Sequence, residues 1–93
     1  MAYDRLVFRV HAVQRMAQRQ ITLDDVRTVL QKGEQIEEYP TAVPYPSGLF
    51  LGFSASRPIH VVAADNDDQQ ETIVITVYEP DPSRWEPDFR TRR

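Results

Sequence analysis

The sequence predicts an α+β domain: two short helices followed by a mostly antiparallel sheet. Two observations carry that expectation. Between His11 and Lys32 the apolar residues recur at three- and four-residue spacing, whereas after Gly33 they fall into short runs or strict alternation. Prolines and acidic turn residues separate those later runs, as they do between strands.

In chain order, Leu6 to Val10 alternates around Val7 and Arg9 and reads as a short strand or an extended arm. From His11 to about Gln18 the period is helical. Val13, Met16 and Ala17 share one face with Ala12 at its edge, and His11, Arg15 and Arg19 lie four apart on the opposite side. A second helix is expected over residues 23–32. Thr22 is its N-cap, with Asp25 three residues on, and Ile21 and Val26 are spaced as a hydrophobic staple. Leu23, Val26, Val29 and Leu30 form its apolar stripe, Lys32 suits the negative end of the helix dipole, and Gly33 suits a left-handed stop.

Gln35 to Tyr39 is short, acidic and closed by Pro40, as an edge strand would be. The prolines between Pro40 and Gly48 make a stiff loop. Leu49 to Phe53 is apolar on both faces, like a covered central strand. Ser54 to Pro58 reads as a turn and Ile59 to Ala64 as a strand. Asp65 to Gln70 is an acidic turn. Thr72 to Tyr78 then alternates, with Ile73, Ile75 and Val77 on one face. Pro80 and Pro82 stop the sheet. Trp85 and Phe89 are expected to pack the tail back onto the domain, since exposing them forfeits roughly 1.5–3 kcal/mol each, while Arg90 to Arg93 are expected to fray.

Ninety-three residues make one domain, and the 41% apolar share is that of a globular chain. There is no cysteine, which excludes disulfides and thiolate metal sites. The opening Met1-Ala2-Tyr3-Asp4-Arg5 leads into no apolar region long enough for a signal peptide, and no run has the length of a membrane span. The cytoplasm is the expected compartment, with no membrane partner. The formal net charge of −3 argues against tight non-specific nucleic-acid binding, and DNA is not an expected partner. The charge is unevenly spread. Arg5, Arg9, Arg15 and Arg19 crowd the first twenty residues, and the acidic residues crowd at Glu34–Glu38 and Asp65–Glu71.

Candidate chemistry is sparse. Three unclustered glycines form no phosphate loop, and the two histidines are not at metal-ligand spacing, so neither a metal nor a cofactor is expected. Asp65–Glu71 lacks the central glycine of a calcium loop and reads as a solvated turn. His11 stands out: its imidazole, beside two guanidiniums, is a proton-transfer group, or else it caps the helix start or fills a polar niche. Arg15 and Arg19 either clamp a phosphate through their guanidinium forks or form a solvated helix face. His60 is structural, or shares a face with Thr76 and Tyr78 if the hairpin register is even. The Tyr78 phenol can donate or accept a proton.

Several segments together resemble the domain of unknown function 4258 family. They are His11-Ala12, Arg15-Met16, Arg19, Ile21-Thr22 and Val26; Tyr45-Pro46; Arg57 to Val62; and Thr76-Val77-Tyr78-Glu79-Pro80-Asp81-Pro82 with Trp85. The family's layout is similar to small bacterial toxins of the RelE and BrnT kind, which pair helices with a four-stranded sheet and cleave RNA without a metal. The resemblance therefore implies a toxin of a toxin–antitoxin pair, with RNA as substrate and an antitoxin protein as partner. In such an enzyme His11 or His60 would move protons, Arg15 would stabilise the developing charge, Tyr78 would orient substrate or act as the acid, and Arg19, Arg57 and Thr76 would contact substrate. The alternative is a non-catalytic interaction module that docks a partner by strand addition at the Gln35–Tyr39 edge.

Overall fold

The computed structural model describes residues 3–93; Met1 and Ala2, the start of the segment read for a leader, lie outside the described residues. The elements run β1 (Leu6–Phe8), α1 (Val10–Arg19), α2 (Leu23–Lys32), β2 (Glu34–Tyr39), β3 (Ser47–Ser54), β4 (Arg57–Asn66) and β5 (Glu71–Tyr78). The strands form one mixed sheet in the order β1-β5-β4-β3-β2, antiparallel except where β1 pairs with β5. The sheet thus has five strands rather than four. The fifth is β1, the segment that read as a short strand or an extended arm, and it is a strand. Among the described residues no helix is long and apolar enough to cross a membrane.

Pairing of β1 with β5 fixes where α1 starts. Leu6, Val7 and Phe8 lie opposite Thr72, Ile73 and Val74, and the Arg9 N–H donates to the Val74 carbonyl at 3.0 Å. From that anchor α1 packs on β5 through Ala12 and Met16, leaving Val13 and Ala17 exposed. The buried stripe is therefore turned by roughly 70° from the expected Val13/Met16/Ala17 face, at about 100° per residue. As a result, His11, Arg15 and Arg19 flank the buried stripe instead of opposing it. Gln20, in the left-handed region at φ 54°, ends the helix.

The second helix is built as its caps foretell. The Asp25 N–H donates to Thr22 Oγ1 at 3.0 Å, and the Thr22 N–H donates to Asp25 Oδ2 at 2.9 Å, which satisfies two donors that the helix ladder leaves free. Val26, Val29 and Leu30 are buried; Leu23, expected in the stripe, is exposed. Gly33 is not a left-handed stop, for its φ is −78°. A glycine is needed there for space: a Cβ would sit 2.3 Å from the Leu51 carbonyl oxygen and 2.5 Å from that of Val29. Gly52 similarly lets α2 lie close on β3, against Val29.

One main core fills the layer between helices and sheet. Ala12, Ile21, Val26, Val29 and Leu30 meet Phe50, Ile59, Val61, Ala63, Val74 and Val77. The expected alternation of β5 breaks at a bulge. Val62 pairs with Thr76 and Ala63 with Val74, so Ile75 is the extra residue, and Val74 rather than Ile75 joins Val77 in the core.

Beyond β5 the tail folds into its own hairpin. The Glu86 N–H donates to the Thr91 carbonyl at 2.8 Å, the Arg93 N–H donates to the Arg84 carbonyl at 2.9 Å, and Trp85 bridges to Arg92. Trp85 is buried, as expected. Arg90 to Arg93 do not fray, however. Arg90 pairs with Glu34, Arg92 with Glu37 and Arg93 with Glu86.

Candidate functional site

Strand register places the polar residues of the helix-free face. Glu34, Leu51, His60 and Tyr78 fall on one cross-sheet row, and Glu37, Leu49, Val62 and Thr76 on the next. The irregular register between Gln35 and Glu37 lets Glu34 and Glu37 share a face although three residues apart. The tail hairpin lies over these rows.

His60 is fully buried at the centre. Its Nε2 lies 2.8 Å from the Phe89 carbonyl oxygen, which can only accept, so Nε2 carries the proton. Nδ1 therefore accepts from the Tyr78 hydroxyl, 3.2 Å away. The ring meets Trp85 edge-on at 4.5 Å between centroids and Tyr78 at 5.2 Å. Around it, Arg92 forks onto Glu37 at 2.8 and 3.0 Å and stacks 4.6 Å above the Trp85 ring, while the Tyr39 hydroxyl donates to Glu37 at 2.6 Å.

These contacts set the protonation states. Burial pushes the His60 imidazole below its ordinary value; the Phe89 carbonyl and Glu37 oppose the shift, and Arg92 adds to it. The Arg92 fork holds the Glu37 carboxyl below the usual range. Burial and Glu37 push Tyr39 up to about 12, and burial raises Tyr78. The cluster at neutral pH is a carboxylate, a guanidinium, a neutral imidazole and two protonated phenols. With both ring nitrogens occupied and no exposed surface, His60 takes no proton from a substrate while the tail is in place. Tyr78 is half-buried and borders a cavity of about 180 Å³ shared with Arg84 and Arg92.

The expected site residues divide into separate groups. His60, Thr76 and Tyr78 share the tail-covered face, so the hairpin register is the even one. His11, Arg15 and Arg19 belong to the helix layer on the other side of the sheet, exposed and without a side-chain hydrogen bond or ion pair to any described residue. Arg57, at the start of β4, ties the two layers together. Its Nη2 donates to the Gln20 carbonyl at 3.1 Å, and its Nε lies 3.2 Å from Glu79, close enough to pair but not aligned for a hydrogen bond. Sequence reading missed Glu37, Tyr39, Arg90 and Arg92 as site residues. The signal was present in the opposite charges of Glu34 and Glu37 and of Arg90 and Arg92, but strand and tail are more than fifty residues apart.

At the far end of the sheet the acidic turn is tied to β5 and to the N-terminal segment. Thr72 donates to Asp65 at 2.8 Å, and the Tyr3 hydroxyl donates to Asp67 at 2.8 Å. Among the described residues no three His, Cys, Asp or Glu side chains are grouped to hold a metal ion.

With the geometry in view, comparison with known proteins gives one family. The chain belongs to the family described as Domain of unknown function (DUF4258), which matches residues 8–79. No curated protein and no solved structure matches it.

Proposed function

We propose that this member of the family is a protein-binding module that offers α1 to an acidic, amphipathic segment of a partner protein. One observation carries the reading. His11, Arg15 and Arg19 are solvent-exposed along one flank of a helix with no acidic residue, and Val10 and Val13, on its other flank, are 73% and 52% exposed. Guanidiniums without internal partners are free to fork onto carboxylates. The valines exposed on the other flank favour a protein ligand that wraps the helix over a phosphate backbone, which has no apolar surface to bury against them. Strand addition at the β2 edge is less favoured, because the irregular register around Ile36 interrupts that strand's ladder.

The test is fluorescence anisotropy with three labelled probes: a helical peptide of Leu and Glu, a peptide of equal charge with Ser replacing Leu, and single-stranded RNA. The Leu/Glu peptide is expected to bind tightest, and Arg15→Glu with Arg19→Glu to weaken it on the order of tenfold to a hundredfold. Equal binding of the two peptides, or no effect of the charge reversal, sinks the reading.

A second reading is a metal-independent endoribonuclease toxin held by an antitoxin. It is favoured by the Tyr78 hydroxyl, which sits on His60 at a cavity bordered by Arg84 and Arg92, although Glu79 and Asp81 line the same cavity and oppose an anion. Proton transfer there would contribute about 10²–10⁴-fold, with guanidiniums stabilising the phosphorane. It ranks second because His11 and the Tyr78–His60 pair lie on different layers and His60 is sealed. Cleavage of the RNA probe, abolished by Tyr78→Phe, would reverse the ranking.

A further inference from the structure

We propose that residues 80–93 are a lid that leaves the Glu37–His60–Tyr78 face on mild acidification while the rest of the domain stays folded. This inference is independent of the α1 surface.

Three observations make the tail separable. Its hairpin closes on itself through Glu86 to Thr91 and Arg93 to Arg84, so it can dock and leave as a unit. The main core between helices and sheet contains no tail residue. The matched family region ends at Glu79, just before the hairpin. Loss of the lid therefore leaves every helix, strand and main-core contact in place.

The polar fastenings are few and titrate or are screened, while the burial of Leu49, Leu51 and Trp85 on this face does not depend on pH. Arg92 forks onto Glu37, Arg90 pairs with Glu34, Trp85 packs on His60, and the Phe89 carbonyl accepts from His60. Both guanidiniums are at least half exposed, so salt also weakens them. Protonating Glu37 removes the acceptor charge of the fork. Protonating His60 places a cation in a buried niche. The groups around that niche are Glu37, with Tyr39 bonded to it, from β2; uncharged Leu51 from β3; Tyr78 from β5; and Arg92, Trp85 and the Phe89 carbonyl from the lid. An imidazolium could still donate to both the Tyr78 oxygen and the Phe89 carbonyl, so the hydrogen bonds survive. The cost is burial of the charge, to which Arg92 adds and which Glu37 offsets only in part.

The direction follows from linkage. His60 binds its proton less readily under the lid than when released, so docking is complete above the ordinary imidazole value of about 6.5 and weakens as pH falls below it. Glu37 is likewise depressed when docked, so its share is present above the ordinary carboxyl value of about 4.3 and is lost as pH falls further. Both groups drive release in acid.

Trp85, the chain's single tryptophan, reports the lid directly. The experiment follows its emission and acrylamide accessibility from pH 8 to pH 4 on the full chain, beside far-UV circular dichroism. Emission is expected to shift to the red, with rising acrylamide access, at a pH where the dichroism is still native; Glu37→Gln should move that midpoint upward. A single coincident transition overturns the proposal, because the lid is then part of the global fold. An emission change without greater acrylamide access overturns it too, since that is quenching by the imidazolium with the lid in place. No change above the acid unfolding point does the same. The wild-type titration decides the matter even if the variant does not fold.

Discussion

Gly52 and Gly48 lie four residues apart on β3 and face the same way, yet replacing each with alanine should have opposite consequences. At Gly52 a Cβ would sit 2.8 Å from Val29 Cγ2 and 2.9 Å from Val29 Cα, against ordinary contacts that begin at 3.4 Å. The Cα is helix backbone, so relief requires α2 to move as a body by about half an ångström away from the sheet. Overpacking of this kind costs about 1–3 kcal/mol, offset by the roughly 0.4–1 kcal/mol gained when alanine restricts the unfolded chain. Gly52→Ala should therefore lose about 1–2 kcal/mol, which for a chain of this size lowers Tm by roughly 5–15 °C. At Gly48 the nearest atom is Gln35 Nε2 at 2.5 Å, the tip of an exposed, flexible side chain, with Phe50 Cε1 at 3.3 Å. Gln35 can swing away, so Gly48→Ala should be neutral or stabilising by about 0.5 kcal/mol. Urea and thermal melts followed by far-UV circular dichroism, with matching m-values, measure both. Equal effects from the two substitutions, or a Gly52→Ala protein as stable as the parent, would refute the close seating of α2 on β3.

Three further outcomes are expected. Thr22→Ala breaks the capping box and should cost about 1 kcal/mol in urea denaturation. The Thr22 N–H holds the Asp25 carboxyl below its usual range, so that contribution is present above about pH 4 and fades as pH falls through the folded value; Asp25→Asn should remove this segment of the stability–pH curve and leave the rest. Tyr39→Phe deletes the 2.6 Å bond to Glu37 but leaves the Arg92 fork, so it should cost about 0.5–1.5 kcal/mol and leave far-UV dichroism unchanged; a loss as large as that of Glu37→Gln would mean that the fork depends on the phenol.

Where chemistry is local, the sequence was legible. Thr22 and Asp25 announce a helix start because a capping box needs only residues three apart. The run from Leu49 announces a covered strand because both its faces are apolar, and it is buried through Gly52, while Phe53, expected in the covered run, is exposed. What could not be read depends on partners distant in the chain. The phase of α1 is set by the Arg9–Val74 hydrogen bond, which belongs to the β1–β5 pairing, and so Ala12 rather than Val13 turns inward. The bulge at Ile75 exists only relative to β4, so the clean alternation of Thr72 to Tyr78 misassigns Val74. Gly33 reads as a left-handed stop from its position alone, whereas its requirement for space comes from Leu51 on another strand. For the site the same division holds. His60 and Tyr78 were singled out as polar residues in strands, and their pairing followed from a register that the loop sequence did not specify. The tail arginines carried no helical or strand period and so read as a fraying end.

The two faces of the sheet bear on function in different ways. On the helix side the polar row of α1 is open and unsatisfied, which suits recognition that needs no rearrangement. On the other side every polar group around His60 is already satisfied by the chain itself: the imidazole by Tyr78 and Phe89, the Glu37 carboxylate by Arg92 and Tyr39. A satisfied, buried cluster holds structure and does no chemistry in that state. If the Tyr78–His60 pair transfers protons at all, it does so with the lid released. The pH that frees His60 is then also the pH that begins to protonate it, which removes the base. Catalysis at this face and acid release of the lid therefore pull against each other, unless partner binding rather than acid lifts the hairpin. That conflict is a further physical reason to place recognition by α1 ahead of catalysis at His60.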